Sequence, residues 1–289
     1  MSASPKSPPR IITRGDDLRR EVLAWRANGL KVGLVPTMGA LHAGHLSLVE
    51  RSNAECQRTV ATIFVNPTQF GPTEDFGRYP RNLEQDVALL AGADLVFAPS
   101  VEEIYPTGHA TFVEVDGVSR QWEGAIRPTH FRGVATVVLK LFNLAPVDVA
   151  YFGQKDYQQT VVIRQMVADL NVPIEIRVCP TVRELDGLAL SSRNAYLSPD
   201  ERRRALVLSR SLRHAKDLIA AGQRDPKSVT TAMKSLFSET AGVTLDYAAL
   251  VDPDTIEEVN QLRGRVVAIV AARVGATRLI DNEIIEVGS

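Results

Sequence analysis

Between residues 31 and 178 the chain switches repeatedly between a strand-like and a helix-like spacing of its apolar residues, and that alternation restricts the fold more than any other feature. Residues 31–36 (KVGLVP) are a short apolar run halted by a proline, as a buried strand is. A Gly/His-rich turn leads from it into a helical stretch at 46–55. Strands at 59–65, 94–98, 147–152 and 174–178 then alternate with helices at 82–91, 134–144 and 157–169. Upstream, 15–28 has helical spacing with Leu18, Val22, Leu23 and Trp25 as its apolar members. Strands that alternate with helices build an α/β domain, a mostly parallel sheet covered by helices on both faces.

The pattern changes near Arg183. Ser198-Pro199-Asp200-Glu201 is a capping box with proline at the first helical position, opening a helix to about Ala221. A second helix spans 226–239, and short strands follow at 244–250, 265–272 and 277–280. Helices followed by strands indicate a smaller C-terminal α+β domain. The expected division is a disordered Ser/Pro-rich leader at 1–10, a first domain at 11–181 and a second at 182–289.

Composition narrows the function classes. Lys and Arg total 33 against 34 Asp and Glu, a formal net charge of −1, so the basic excess of a nucleic-acid binder is missing. The densest basic run, Arg202-Arg203-Arg204, reads as a solvated helix face. Cys56 and Cys179 have no CxxC partner, the leader lacks an apolar core, and the longest apolar stretch, 266–272, is too short to span a bilayer. A cytoplasmic protein with no membrane partner is expected.

Polar clusters follow three of the strands, where ligands bind in parallel sheets, and they are expected to share one cleft. The first, at 36–45 (PTMGALHAGH), pairs turn-forming Gly39 and Gly44 with His42 and His45 at the start of a helix. Uncommitted backbone N–H groups and two imidazoles would seat a phosphate there, more strongly with charged rings. Other uses of the histidines are a metal site, which lacks a nearby third ligand, and plain capping or core roles. The second cluster, 66–70 (NPTQF), offers the Gln69 amide to an acid bearing hydroxyls; Asn66-Pro67 also suits a simple capped turn. In the third, 153–159 (GQKDYQQ), Lys155 suits phosphate charge, Asp156 either ribose hydroxyls or a helix cap, and Gln159 the cleft. A fourth segment, 190–194 (LSSRN), is either a triphosphate clamp and lid element or an ordinary polar loop.

Taken with RPTHFRGVATVVLKLFN at 127–143 and TVRELDGLALSSRNAYL at 181–197, these blocks closely resemble the pantothenate synthetase family over nearly the whole chain after the leader. The resemblance implies an N-terminal Rossmann-like domain related to class I aminoacyl-tRNA synthetases, with a small C-terminal lid. It implies ATP-dependent joining of pantoate to β-alanine through a pantoyl adenylate, releasing AMP and pyrophosphate, by a homodimer that uses Mg²⁺. An ATP site is implied at Met38, Gly39, Ala40, Leu41, His42, Ala43, Gly44 and His45, at Gly153, Gln154, Lys155 and Asp156, and at Val182, Leu190, Ser191, Ser192 and Arg193. Pantoate is assigned to Gln69 and Gln159, β-alanine to the vicinity of Gln69, and catalysis to His45, the matched proton donor, with His42 and Lys155. Leu190 stands where the family often has Met, a small volume change, and Gln154 where it often has Glu, which removes a charge beside Lys155. Two rival readings are an adenylyltransferase acting on a phosphate ester, since HxGH turns serve that chemistry too, and a nucleotide-binding regulator without turnover.

Overall fold

A computed structural model describes residues 8–72 and 74–288. Its elements in chain order are β1 (Arg10–Ile12), α1 (Gly15–Ala27), β2 (Val32–Thr37), α2 (Ala43–Glu55), β3 (Arg58–Ile63), α3 (Leu83–Leu89), β4 (Leu95–Phe97), α4 (Val101–Ile104), α5 (Glu123–Ile126), α6 (His130–Leu144), β5 (Val149–Gly153), α7 (Tyr157–Asp169), β6 (Glu175–Cys179), α8 (Pro199–Ala220), α9 (Pro226–Ser238), β7 (Val243–Val251), β8 (Gly264–Val274) and β9 (Thr277–Val287). They fall into two compact units, the first comprising residues up to Gly153 together with Val162–Cys179, the second Gln154–Val161 together with Pro180 onward. The short stretch Gln154–Val161 therefore belongs with the second unit, not with the strand it follows.

In the first unit a six-stranded parallel sheet runs in the order β1-β4-β3-β2-β5-β6. Alternate residues serve opposite faces. Leu34, Val60, Phe97, Ala150 and Phe152 join one apolar cluster with Leu18, Val22, Val134, Leu141, Ile163 and Met166. Val35, Ala61, Val96, Val149 and Tyr151 join another with Leu48, Val49 and Leu90. Burying one such Leu or Val contributes roughly 1.5–3 kcal/mol, whereas exposed ion pairs such as Arg20–Asp17 contribute about 0–1 kcal/mol. Apolar packing on the two sheet faces therefore dominates the stability. Strand order reverses between β2 and β5, which pair at Gly33 with Val149 and Leu34 with Ala150. A doubly wound sheet binds ligands beyond the carboxyl ends of its strands at such a reversal, here beyond Thr37 and Gly153.

The second unit packs α8 and α9 against an antiparallel sheet ordered β7-β8-β9, with Leu208, Leu212, Phe237, Leu250, Val270 and Leu279 among its core. The Ser198 hydroxyl accepts from the Glu201 N–H while the Glu201 carboxylate accepts from the Ser198 N–H, so the capping box forms as its sequence dictates.

Several boundaries differ from the sequence expectation. Of the leader, residues 1–7 lie outside the described residues, and Arg10 already belongs to β1, which pairs with β4 along the sheet edge. Helix α6 starts at His130, not Val134. Leu23 is exposed because the buried stripe of α1 runs through Gly15, Leu18 and Val22. Strand β9 continues seven residues beyond Ile280 to Val287, with Asp281 and Asn282 buried in its middle.

Candidate functional site

The chain leaves β2 at Thr37 and must enter α2 at Ala43. Gly39 makes the reversal at φ +80°, followed by Ala40 at +50°. A Cβ on Gly39 would sit 2.8 Å from a carboxylate oxygen of Asp86, so position 39 admits glycine for both conformation and space. Asp86, buried on α3, accepts from the Ala40 N–H (3.0 Å) and the Leu41 N–H (2.9 Å). A residue more than forty positions downstream thus shapes the turn.

His42 caps α2, its Nδ1 accepting from the Gly44 N–H at 3.2 Å, while the His45 Nδ1 accepts from the His42 N–H at 3.3 Å. The rings stand 4.1 Å apart, tilted by 39°. A backbone N–H can only donate, so both Nδ1 atoms are unprotonated and each ring carries its hydrogen on Nε2. This departs from the sequence expectation in one respect. The N–H groups of Ala40, Leu41, His42 and Gly44 are not held open for phosphate, because Asp86 and the imidazoles accept them.

Gln69 ends a short 3₁₀ turn at Pro67–Gln69, after β3. Its Oε1 accepts from Asn66 Nδ2 (3.1 Å), and its Nε2 donates to Met38 Sδ (2.8 Å). The histidine turn and the Gln69 segment therefore meet within the first unit. Asn66 accepts from the Thr68 N–H and the Tyr105 hydroxyl, and its amide also donates to the Gly133 carbonyl (3.1 Å). It is the turn cap that its sequence suggested, and it anchors Gln69 as well. Gly133 lets α6 approach, since a Cβ there would fall 2.5 Å from the Thr68 carbonyl and 2.6 Å from the Gln69 nitrogen. His130 donates from Nδ1 to the Gln69 carbonyl at 3.0 Å. Burial, reinforced by the Arg127 charge, lowers the His130 pKa to about 4. Arg127 grips Glu74 through two bonds (2.9 and 2.6 Å) and holds its carboxyl below the ordinary range although burial acts to raise it.

The remaining sequence candidates lie in the second unit, except Gly153, which ends β5. Gln154, Lys155 and Asp156 form a single 3₁₀ turn, with the Lys155 ammonium 3.5 Å from Asp156 Oδ1. Gln159 is partly exposed on the first turn of α7. Val182 and Leu190 face each other across a hairpin, the Leu190 N–H donating to the Val182 carbonyl (3.0 Å) and Arg183 bridging Ala189. Ser191 caps the next 3₁₀ turn, Ser192–Tyr196, by accepting from the Arg193 N–H (3.3 Å). Among the described residues only three buried side-chain polar atoms have no hydrogen-bond partner; two of them, Thr181 Oγ1 and Asn194 Oδ1, adjoin Val182 and Arg193. Among the described residues no group of three His, Cys, Asp or Glu side chains could hold a metal ion.

Sequence reasoning missed Asp86, Tyr105 and His130. Residues 127–143 carried a visible signal, polar residues directly before an apolar helix, but nothing in their spacing told which side chain would meet Gln69.

The profile of the family described as Pantoate-beta-alanine ligase matches residues 10–284. Pantothenate synthetase of Moorella thermoacetica is 56% identical over 272 residues, covering 93% of this chain and 96% of that protein. The crystal structure of pantothenate synthetase from Thermus thermophilus is 48% identical and superposes with a TM-score of 0.90, covering 97% of this chain and all of that one. Pantoate-beta-alanine ligase from Francisella tularensis, crystallised with beta-gamma ATP and beta-alanine, is 34% identical at a TM-score of 0.79, with 96% of this chain and 97% of that chain covered.

Proposed function

Since the chain belongs to the pantoate-beta-alanine ligase family, we propose that it condenses pantoate with β-alanine at the expense of ATP, forming pantothenate, AMP and pyrophosphate by way of a pantoyl adenylate. The observation that carries this reading is the contact of Met38 with Gln69, which sets a twin-imidazole turn beside an amide suited to a hydroxy acid.

In the first step a carboxylate oxygen of pantoate attacks the α-phosphorus, and the bond to the bridging oxygen of the β-phosphate breaks. The carboxylate is already a nucleophile, so no base is needed. What lowers the barrier is hydrogen-bond donation and positive charge aimed at the oxygens that gain charge. The Nε2 hydrogens of His42 and His45 supply the donors, with His45 the principal one; Lys155, Ser191, Ser192 and Arg193 take the charge of the departing pyrophosphate. Gln69 and Gln159 orient pantoate, and β-alanine enters near Gln69. In the second step the neutral amine attacks the acyl carbon, AMP leaves with the electrons of the C–O bond, and the nitrogen loses its proton. Holding amine and ester in line supplies much of that rate gain.

By the family resemblance, nucleotide contacts are assigned to Met38–His45, to Gly153–Asp156, and to Val182 and Leu190. Mg²⁺ enters the proposal as the counter-ion of ATP, as is usual for this hard, strongly hydrated ion. We further propose, from the family resemblance, that the enzyme works as a cytoplasmic homodimer; its two cysteines are unpaired thiols, as a reducing compartment keeps them.

The test is to supply ATP, pantoate and β-alanine and to follow AMP and pantothenate, together with ATP–pyrophosphate exchange. Exchange that requires pantoate supports the reading. A phosphate ester replacing pantoate would favour the adenylyltransferase alternative, and nucleotide binding without exchange would favour a regulator.

A further inference from the structure

Strand β9 carries two buried polar residues side by side, Asp281 and Asn282, deep in a strand whose neighbours are apolar. Such a pair is costly to bury unless its groups are matched, and here each one is. The Asn282 side chain donates through Nδ2 to two consecutive backbone carbonyls, those of Gln154 (2.9 Å) and Lys155 (2.8 Å). Its Oδ1 accepts from the Gln154 side-chain amide at 3.2 Å. Both amide hydrogens and the amide oxygen are thus spent on the turn that presents Lys155.

The adjoining Asp281 holds the other phosphate segment. Its carboxylate accepts from both terminal nitrogens of Arg183 (2.7 and 3.0 Å) and from the Asn282 N–H (2.8 Å). Burial raises the Asp281 pKa, and the Arg183 guanidinium opposes that rise. Arg183 in turn donates to the Gly187 carbonyl (3.1 Å) and the Asn282 carbonyl (3.2 Å), closing the hairpin that delivers Ser191 and Arg193. One dipeptide of β9 therefore ties together two segments that are about thirty residues apart in sequence and both assigned to nucleotide phosphate.

We infer that Asn282 is a positioning residue for adenylate formation, acting through Lys155 by fixing the two backbone carbonyls that flank the Lys155 Cα. The inference rests on the function proposed above. The chemistry at position 282 is specific. Two carbonyl oxygens converge on one atom, so that atom must carry two hydrogens, and the side chain must be short enough to remain within the strand. Asparagine meets both conditions. Aspartate has the same shape but would set an acceptor against two acceptors.

The test uses the full-length protein in pantoate-dependent ATP–pyrophosphate exchange. Asn282→Asp is expected to lower kcat about 10- to 100-fold, the penalty of a misplaced catalytic group, while the KM for pantoate changes less than about threefold because Gln69 is untouched. Added to Lys155→Ala, the same substitution should change the residual rate less than about twofold, because residues acting through one another are non-additive. A purely structural role would instead multiply the two losses. Gln154→Met, which removes one of the three contacts at a partly exposed site, serves if the Asn282 variant fails to fold; its kcat should drop several-fold with the same non-additivity. Unchanged kcat in the variant that folds, or losses that multiply, would overturn the inference. Absence of exchange in the unmodified protein would overturn the function itself, and a Lys155→Ala variant that keeps full activity would overturn the role of Lys155.

Discussion

At His42 and His45 the backbone fixes what the side chains can do. Each Nδ1 accepts a main-chain hydrogen, so each imidazole is left to donate through Nε2. Loss of one such donor at a transition state typically costs about a hundredfold in rate, and His45→Ala should show a loss of that size in pantoate-dependent pyrophosphate exchange. Gln69 makes a separable demand: Gln69→Ala should weaken pantoate binding about tenfold and leave ATP binding nearly unchanged by titration calorimetry, and equal losses would argue against contact with pantoate. These residues were readable from the sequence because each follows a strand directly. Asp86 and Asn282 were not, because they act on backbone 45 to 128 residues away, a distance over which spacing carries no information.

Helix α6 and the Gln69 turn behave as one element, because Gly133 leaves no room between them. Gly133→Ala should destabilise the fold by about 1–3 kcal/mol through overpacking and should raise the KM for pantoate more than that for ATP. Denaturant midpoints and steady-state kinetics read the two effects. The opposite case is Ser198, which caps α8 and is not itself a candidate site residue. Ser198→Ala should cost about 1 kcal/mol with kinetics unaltered. At this scale the sequence was most informative where apolar period and cap agreed, as at the Ser198 box that opens α8. It failed at β9 because Asp281-Asn282 resembles a turn signal. The pair is instead a buried joint in mid-strand, and such local conflicts with propensity are expected at functional positions. Helix α6 was started late for a related reason: its first turn, with His130 and Arg132, is polar, and Thr129 provides no side-chain cap.

For the molecule as a whole, His130 couples stability to pH. Its folded-state pKa of about 4 lies below the ordinary 6.5, so the unfolded chain takes up a proton in a window where the native state refuses it. The stabilising contribution is complete above pH 6.5 and is lost as the pH falls toward 4, about 3 kcal/mol in all. Urea denaturation at pH 7.5 and pH 4.5 should show the wild type losing about 2–3 kcal/mol more than His130→Asn, whose amide can still donate to the Gln69 carbonyl. A loss equal in both proteins would assign the acid sensitivity to carboxylates alone. The parallel sheet and the smaller α+β unit were both visible in the sequence, since alternation and its end near Arg183 depend on many residues at once. The affiliation of Gln154–Val161 was not, because it follows from side chains of β9 more than a hundred residues later.

Asp86 gives the histidine turn a place in time as well as in space. A nascent chain extended through β3 already contains both imidazoles and both glycines of the turn, yet it lacks the carboxylate that gathers the Ala40 and Leu41 amides. Loop closure over some forty-five residues must precede that contact. The turn should therefore mature late, and hydrogen exchange at Ala40 and Leu41 during refolding should slow only when α3 docks.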